Sequence, residues 1–201
     1  MDKIFYENYA EYMHALYYPK GISDEGIGLS DAEAACRTVT FVVTDECQLR
    51  CTYCYEINKS VHKMTKETAH EAVDLLFDMY YADDNPFINK KTISLIIEFI
   101  GGEPLLNMDV VMDTSKYFLD RCIREHHIWA LTSKFCISTN GQAYFDSKFQ
   151  EYLKLFPRKV SLGISIDGPK HIHDRCRVYP DGKGSFDIAY KAFEHYAQNY
   201  G

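Results

Sequence analysis

A parallel α/β fold built from four strand–helix units is what this sequence predicts, and three observations carry the prediction. Short apolar, β-branched runs alternate with segments whose apolar residues recur at helical spacing, the pattern of right-handed βαβ crossovers and a parallel sheet. Each run is followed by a loop of unusual chemistry: a stretch with three cysteines, Gly101-Gly102-Glu103-Pro104, Ser138 to Gly141, and Ser165 to Pro169. In parallel β/α folds the carboxyl ends of the strands lie on one face, where ligands bind, so loops far apart in the chain are expected to converge.

Residues 1–36 are rich in tyrosine and hold Pro19-Lys20-Gly21 and Gly26-Ile27-Gly28, which reads as an aromatic segment and a turn-rich connection. A core domain is expected over residues 37–201. Its first strand contains Val39, Phe41 and Val43 and ends where the cysteine loop opens. Thr65 suits the N-cap of a helix bearing Ala69, Ala72, Val73, Leu76, Met79 and Tyr80. Ile93 to Phe99 is continuous enough to predict a strand buried on both faces. A helix from about Asp109 carries Val111, Ser115, Phe118, Leu119 and Cys122 on one side. The third strand is Lys134 to Thr139, followed by a short helix with Phe149, Tyr152, Leu153 and Phe156. The fourth is Val160 to Ile166, and a last helix begins near Ser185 with Ala189, Ala192, Phe193 and Tyr196.

Composition limits the function. The 201 residues are 46% hydrophobic, enough for one substantial core and at most two domains. A net charge of −7 without any concentration of lysine or arginine argues against a nucleic-acid partner. The longest apolar run, Ile93 to Ile100, is interrupted by Glu98 and too short to span a bilayer, so no membrane partner is expected. The opening Met1-Asp2-Lys3-Ile4-Phe5-Tyr6-Glu7 lacks the features of a secretory signal, which makes a cytoplasmic location the expectation.

Cys47, Cys51 and Cys54 stand at spacing C-x3-C-x2-C directly after the first strand. Structural zinc sites close with four ligands, usually two separated pairs, whereas this triple supplies three thiolates and leaves a position open. Soft thiolates in a short loop suit an iron–sulfur cluster, and a [4Fe–4S] cube held by three of them has one iron free for another ligand. Cys36, Cys122, Cys136 and Cys176 fall in other segments and share no ligand spacing. His126-His127 and His70 read as surface or helix-end residues.

The triple, with Tyr53 before its last cysteine, resembles the signature of the radical S-adenosylmethionine superfamily. That resemblance implies an incomplete (β/α)6 barrel, of which about four βα units are present here. The free iron would be chelated by the amino and carboxylate groups of S-adenosylmethionine, whose reductive cleavage yields a 5′-deoxyadenosyl radical. By the same resemblance Tyr53 packs beside the adenine, and Gly101, Gly102 and Glu103 meet the methionine amino group. Two glycines let backbone approach a ligand, and a carboxylate accepts from an ammonium. Ser165 and Asp167, in Ser-Ile-Asp-Gly, would meet the ribose and carboxylate. His173-Asp174-Arg175-Cys176-Arg177, followed by Gly182-Lys183-Gly184-Ser185-Phe186, is similar to the branch of peptide maturases and anaerobic sulfatase-maturing (SPASM-type) enzymes. It implies that Arg177 anchors the cofactor carboxylate, a two-pronged contact suited to guanidinium.

The partners implied are a peptide or protein substrate and an electron donor. An unpaired edge on the fourth strand is a liability that proteins cover, so these residues are expected to be the N-terminal part of a longer chain. Two other readings stay open: a small-molecule enzyme of the same superfamily, and a non-catalytic iron–sulfur or zinc-binding module.

Overall fold

The computed structural model describes residues 35–57, 59–82 and 85–200. Four strands form one parallel sheet in the order β1 (Ala35–Thr44), β2 (Thr92–Gly101), β3 (Lys134–Thr139) and β4 (Val160–Ile164). Spatial order follows chain order without reversal. With right-handed crossovers such winding puts every helix on the same side, as in a barrel, whereas a doubly wound sheet reverses and carries helices on both faces. The result is a partial barrel. Of residues 1–36, only Ala35 and Cys36 are described, and they begin β1; the rest of that expected segment lies outside the described residues.

Helix α1 (Lys66–Tyr81) starts at Thr65, whose hydroxyl accepts from the backbone N–H of Thr68 at 3.2 Å. Its buried stripe is Ala69, Val73, Leu76 and Phe77. A short 3₁₀ turn, Pro104–Asn107, leads into α2 (Met108–Arg124), which buries Val111, Ser115, Phe118, Leu119 and Cys122 as expected. The one-turn α3 (Trp129–Thr132) plants Trp129 in the core, where its indole N–H donates to the Thr92 carbonyl at 2.8 Å. Then follow α4 (Ser147–Leu155), α5 (Lys170–Cys176) and α6 (Phe186–Asn199).

Two expectations change and a third narrows. In β2, Leu95, Ile97 and Phe99 are fully buried against the helices, but Ile96, Glu98 and Ile100 on the other side are only half-buried. Helices cover one face of the sheet, and the concave face stays open. On it Thr40, Glu98, Cys136 and Ser161 stand in register across all four strands. Strand β4 stops at Ile164 rather than Ile166, because the chain turns where the backbone N–H of Asp167 donates to His173 Nδ1 at 3.3 Å. His127 takes the helix-end alternative and not the surface one: its backbone N–H donates to Cys122 O at 2.8 Å at the end of α2, and it is 5% exposed and packs edge-on against Tyr80 and Phe77.

Candidate cofactor site

The carboxyl ends of all four strands open into one cavity of about 350 Å³. Cys47, Cys51, Cys54, Tyr53, Gly101, Gly102, Glu103, Ser165 and Arg177 line it. Of the expected site residues only Asp167 is not in its wall.

The cysteine loop is held from both sides. Backbone N–H groups of Arg50 and Thr52 donate to the carbonyls of Val178 and Cys176 at 2.7 and 2.9 Å, which joins the loop to the end of α5 and the segment after it. On the other side Gly102 N donates to Thr44 O at 2.7 Å and Glu103 N to Glu46 O at 2.8 Å. This close approach explains the glycines. A Cβ on Gly101, at φ +149°, would lie 2.1 Å from the Thr44 carbonyl oxygen, and one on Gly102 2.5 Å from the oxygens of Asp45 and Glu46.

Glu103 is 1% exposed, and its carboxylate is already engaged: Oε1 accepts from Leu105 N at 3.1 Å and Thr139 Oγ1 at 2.6 Å, Oε2 from Asn140 N at 2.8 Å. Burial pushes its pKa up to about 7, against these three donors. Within the chain these bonds make Glu103 a brace between the loops after β2 and β3. Asp167 is engaged within the chain in a similar way. Its two oxygens hold the Tyr53 hydroxyl and Arg177 Nε, the latter at 2.8 Å, and the guanidinium lies 5.4 Å from the Tyr53 ring centroid. Burial works against charge on Arg177, but the Asp167 carboxylate outweighs it and raises its pKa.

His173, fully buried, explains the His-Asp-x-x-Arg spacing. Its Nδ1 accepts from Asp167 N, so its Nε2–H faces the Ser185 hydroxyl at 3.0 Å, and that hydroxyl donates to the Arg177 carbonyl at 2.7 Å. Asp174 Oδ1 accepts from Phe186 N at 2.9 Å and so tethers the start of α6. The motif therefore fixes the backbone that carries Arg177.

Of the polar wall residues that sequence reasoning missed, two approach a cysteine sulfur. Lys59 Nζ lies 3.2 Å from Cys54 Sγ, and Asn140 Nδ2 lies 3.6 Å from Cys47 Sγ, where Leu49 N also donates at 3.4 Å. The Ser138–Gly141 loop was a signal for Asn140; Lys59, in a featureless stretch, had none.

Whether the wall fits an iron–sulfur cluster is decided by its donors. Burial raises the pKa of Cys47 and of Cys51, and for Cys51 the Arg177 charge opposes the rise. Among the described residues no three His, Cys, Asp or Glu side chains converge tightly enough for a single ion. The three sulfurs border one cavity instead, as a cube needs when each thiolate takes a different iron. The donor set fits the cluster.

The fold and the cysteine-lined cavity define an iron–sulfur protein of the partial-barrel type, and residues 33–171 match the family model described as "4Fe-4S single cluster domain". The chain belongs to that family, and it is related to the SPASM-type maturase branch of the radical S-adenosylmethionine superfamily. It is 35% identical over 143 residues to an uncharacterised protein of Methanocaldococcus jannaschii, covering 71% of this chain and 42% of that one. It is 28% identical to a cysteine-type anaerobic sulfatase-maturating enzyme of Clostridium novyi over 72% of this chain and 36% of that one. A solved structure, native anSMEcpe with bound AdoMet and Kp18Cys peptide, shares the fold with a TM-score of 0.59 at 22% identity, over 82% of this chain and 41% of that one. The chain thus spans well under two thirds of these relatives. No helix among the described residues is long and apolar enough to cross a membrane.

Proposed function

We propose that this protein binds a [4Fe–4S] cluster through Cys47, Cys51 and Cys54, cleaves S-adenosylmethionine reductively to a 5′-deoxyadenosyl radical, and modifies a peptide or protein substrate by hydrogen abstraction. The observation that carries this reading is the single cavity onto which three cysteines, the Gly101-Gly102 backbone, Ser165 and Arg177 open together. None of the other four cysteines lines it, which leaves one iron for an exogenous ligand and speaks against a closed electron-transfer module.

The bound cluster and cofactor supply the radical chemistry. The chain supplies position. The glycine backbone would let the methionine part approach the sheet edge, and the Arg177 nitrogens that Asp167 does not hold would serve the cofactor carboxylate. Tyr53, fixed by Asp167, provides a ring for the adenine, and Ser165 a hydroxyl for the ribose. The peptide class is supported by the sulfatase-maturating relative and the peptide-bound fold neighbour. An electron donor is required as a partner, and a cytoplasmic setting suits unpaired thiols.

The test is anaerobic reconstitution and reduction of the full chain, addition of S-adenosylmethionine, and assay for 5′-deoxyadenosine. A cluster whose spectrum is unchanged by S-adenosylmethionine would overturn the reading.

A further inference from the structure

The three cluster cysteines meet unequal surroundings. Cys47 is buried and receives only neutral donors, Leu49 N and Asn140 Nδ2. Cys54 is half-buried and faces a cation: Lys59 Nζ stands 3.2 Å from its sulfur, within the cavity wall. Among the described residues Lys59 has no carboxylate within ion-pair distance, unlike its neighbour Lys63, which pairs with Glu46 at 2.9 Å. The Lys59 charge is therefore directed at sulfur rather than spent on an acidic side chain, and it reaches beyond Cys54, because it also acts on Cys47 and Cys51.

We infer that Lys59 is a positioning and tuning residue for the cluster, donating a charge-assisted hydrogen bond to the Cys54 thiolate and making the cluster easier to reduce. The inference rests on the function proposed above. One-electron reduction adds a negative charge to a cube already carrying three thiolates, so a cation held at one of them stabilises the reduced state more than the oxidised one. Hydrogen bonds to cluster sulfurs and local charge are established levers on such potentials. Lys59 differs from Arg177 in its aim: the Arg177 guanidinium bonds the Asp167 carboxylate, whereas Lys59 points at a ligand atom.

The experiment compares wild type, Lys59→Met, Lys59→Gln, Lys59→Arg and Lys63→Met after anaerobic reconstitution of the full chain. Iron content, midpoint potential by titration followed by electron paramagnetic resonance, and S-adenosylmethionine affinity are read for each. Loss of the charge in Lys59→Met and Lys59→Gln is expected to disfavour reduction by about tenfold, a shift of about 59 mV to more negative potential for one electron. Lys59→Arg and Lys63→Met should stay near wild type, and cofactor affinity should be unchanged throughout. If neither neutral variant retains a cluster while Lys59→Arg does, the charge is needed to hold the thiolate, which supports the assignment. Neutral variants with full iron and a wild-type potential overturn it. So does a fall in cofactor affinity with the potential unmoved, or cluster loss in Lys59→Arg as well. A wild-type chain that binds no cluster refutes instead the function on which the inference stands.

Discussion

The backbone N–H of Thr52 donates to the carbonyl of Cys176 at 2.9 Å, so the loop bearing the three cysteines is tied to the last residue of α5 and through it to the segment that follows. That segment is in turn closed by an antiparallel bridge between Val178 and Gly184. Gly184 has no room for a side chain: a Cβ would lie 2.1 Å from Asp174 Cγ, and Asp174 holds the start of α6. Gly184→Ala is expected to cost about 1–3 kcal/mol through this overpacking. It should also lower iron retention, by loosening a loop it does not touch. Thermal unfolding of the apo-protein and iron content after reconstitution check the two effects.

Cys51→Ala should leave apo stability nearly unchanged but abolish stable cluster binding, because two thiolates do not hold a four-iron cube in the usual way. Iron content and the visible spectrum measure this. Full iron with intact cofactor cleavage would refute the ligand assignment.

Arg177→Lys should weaken S-adenosylmethionine binding by about tenfold or more, since an ammonium would reproduce neither the two-pronged carboxylate contact proposed for Arg177 nor its approach to the Tyr53 ring. Lys154→Ala, on the exposed side of α4, is the control at matched cluster content. Equal affinities would remove Arg177 from the cofactor site.

Glu103→Ala strips the acceptor from Leu105 N, Thr139 Oγ1 and Asn140 N, three donors at or near the floor of the cavity. Unsatisfied buried donors cost about 1–3 kcal/mol each where water does not replace the lost partner. A loss of at least ~2 kcal/mol is therefore expected in denaturant unfolding. Glu103→Gln should recover only part of it, because its amide must turn a donor toward one of these donors.

His127 predicts a pH dependence. Burial among Phe77, Tyr80 and Trp129 lowers its pKa from 6.5 to about 4, so the folded state holds it neutral. Its contribution is fully present above 6.5, where folded and unfolded chains are both neutral there, and is lost as pH falls toward 4 and the unfolded chain takes up the proton first. The loss should approach about 3 kcal/mol, at 1.36 kcal/mol per pH unit. Other groups titrate in the same window. The difference between wild type and His127→Phe at pH 7 and at pH 4 isolates the histidine, and an equal pH response in both would refute this account.

Local pattern made much of the molecule legible. Thr65 caps its helix, β3 spans Lys134–Thr139, and the α2 stripe is buried as its spacing demands. Helix α5 was not legible, because over its seven residues only His173 is buried and no apolar period forms.

The sequence by itself determined the four alternating units and the three-thiolate spacing, because strand and helix periodicity and ligand spacing are properties of neighbouring residues. It also determined that the loops after the strands would meet on one face, since parallel winding carries each carboxyl end to the same side. What each polar side chain does was decided only by tertiary structure. Glu103 became a brace and Asp167 a holder of Tyr53 and Arg177 because donors from distant loops reached their oxygens first. Lys59 came to face Cys54 because the loop folds back into the cavity wall. A carboxylate or ammonium has the same affinity for partners anywhere in the chain, and only the packed fold selects which partner is within reach.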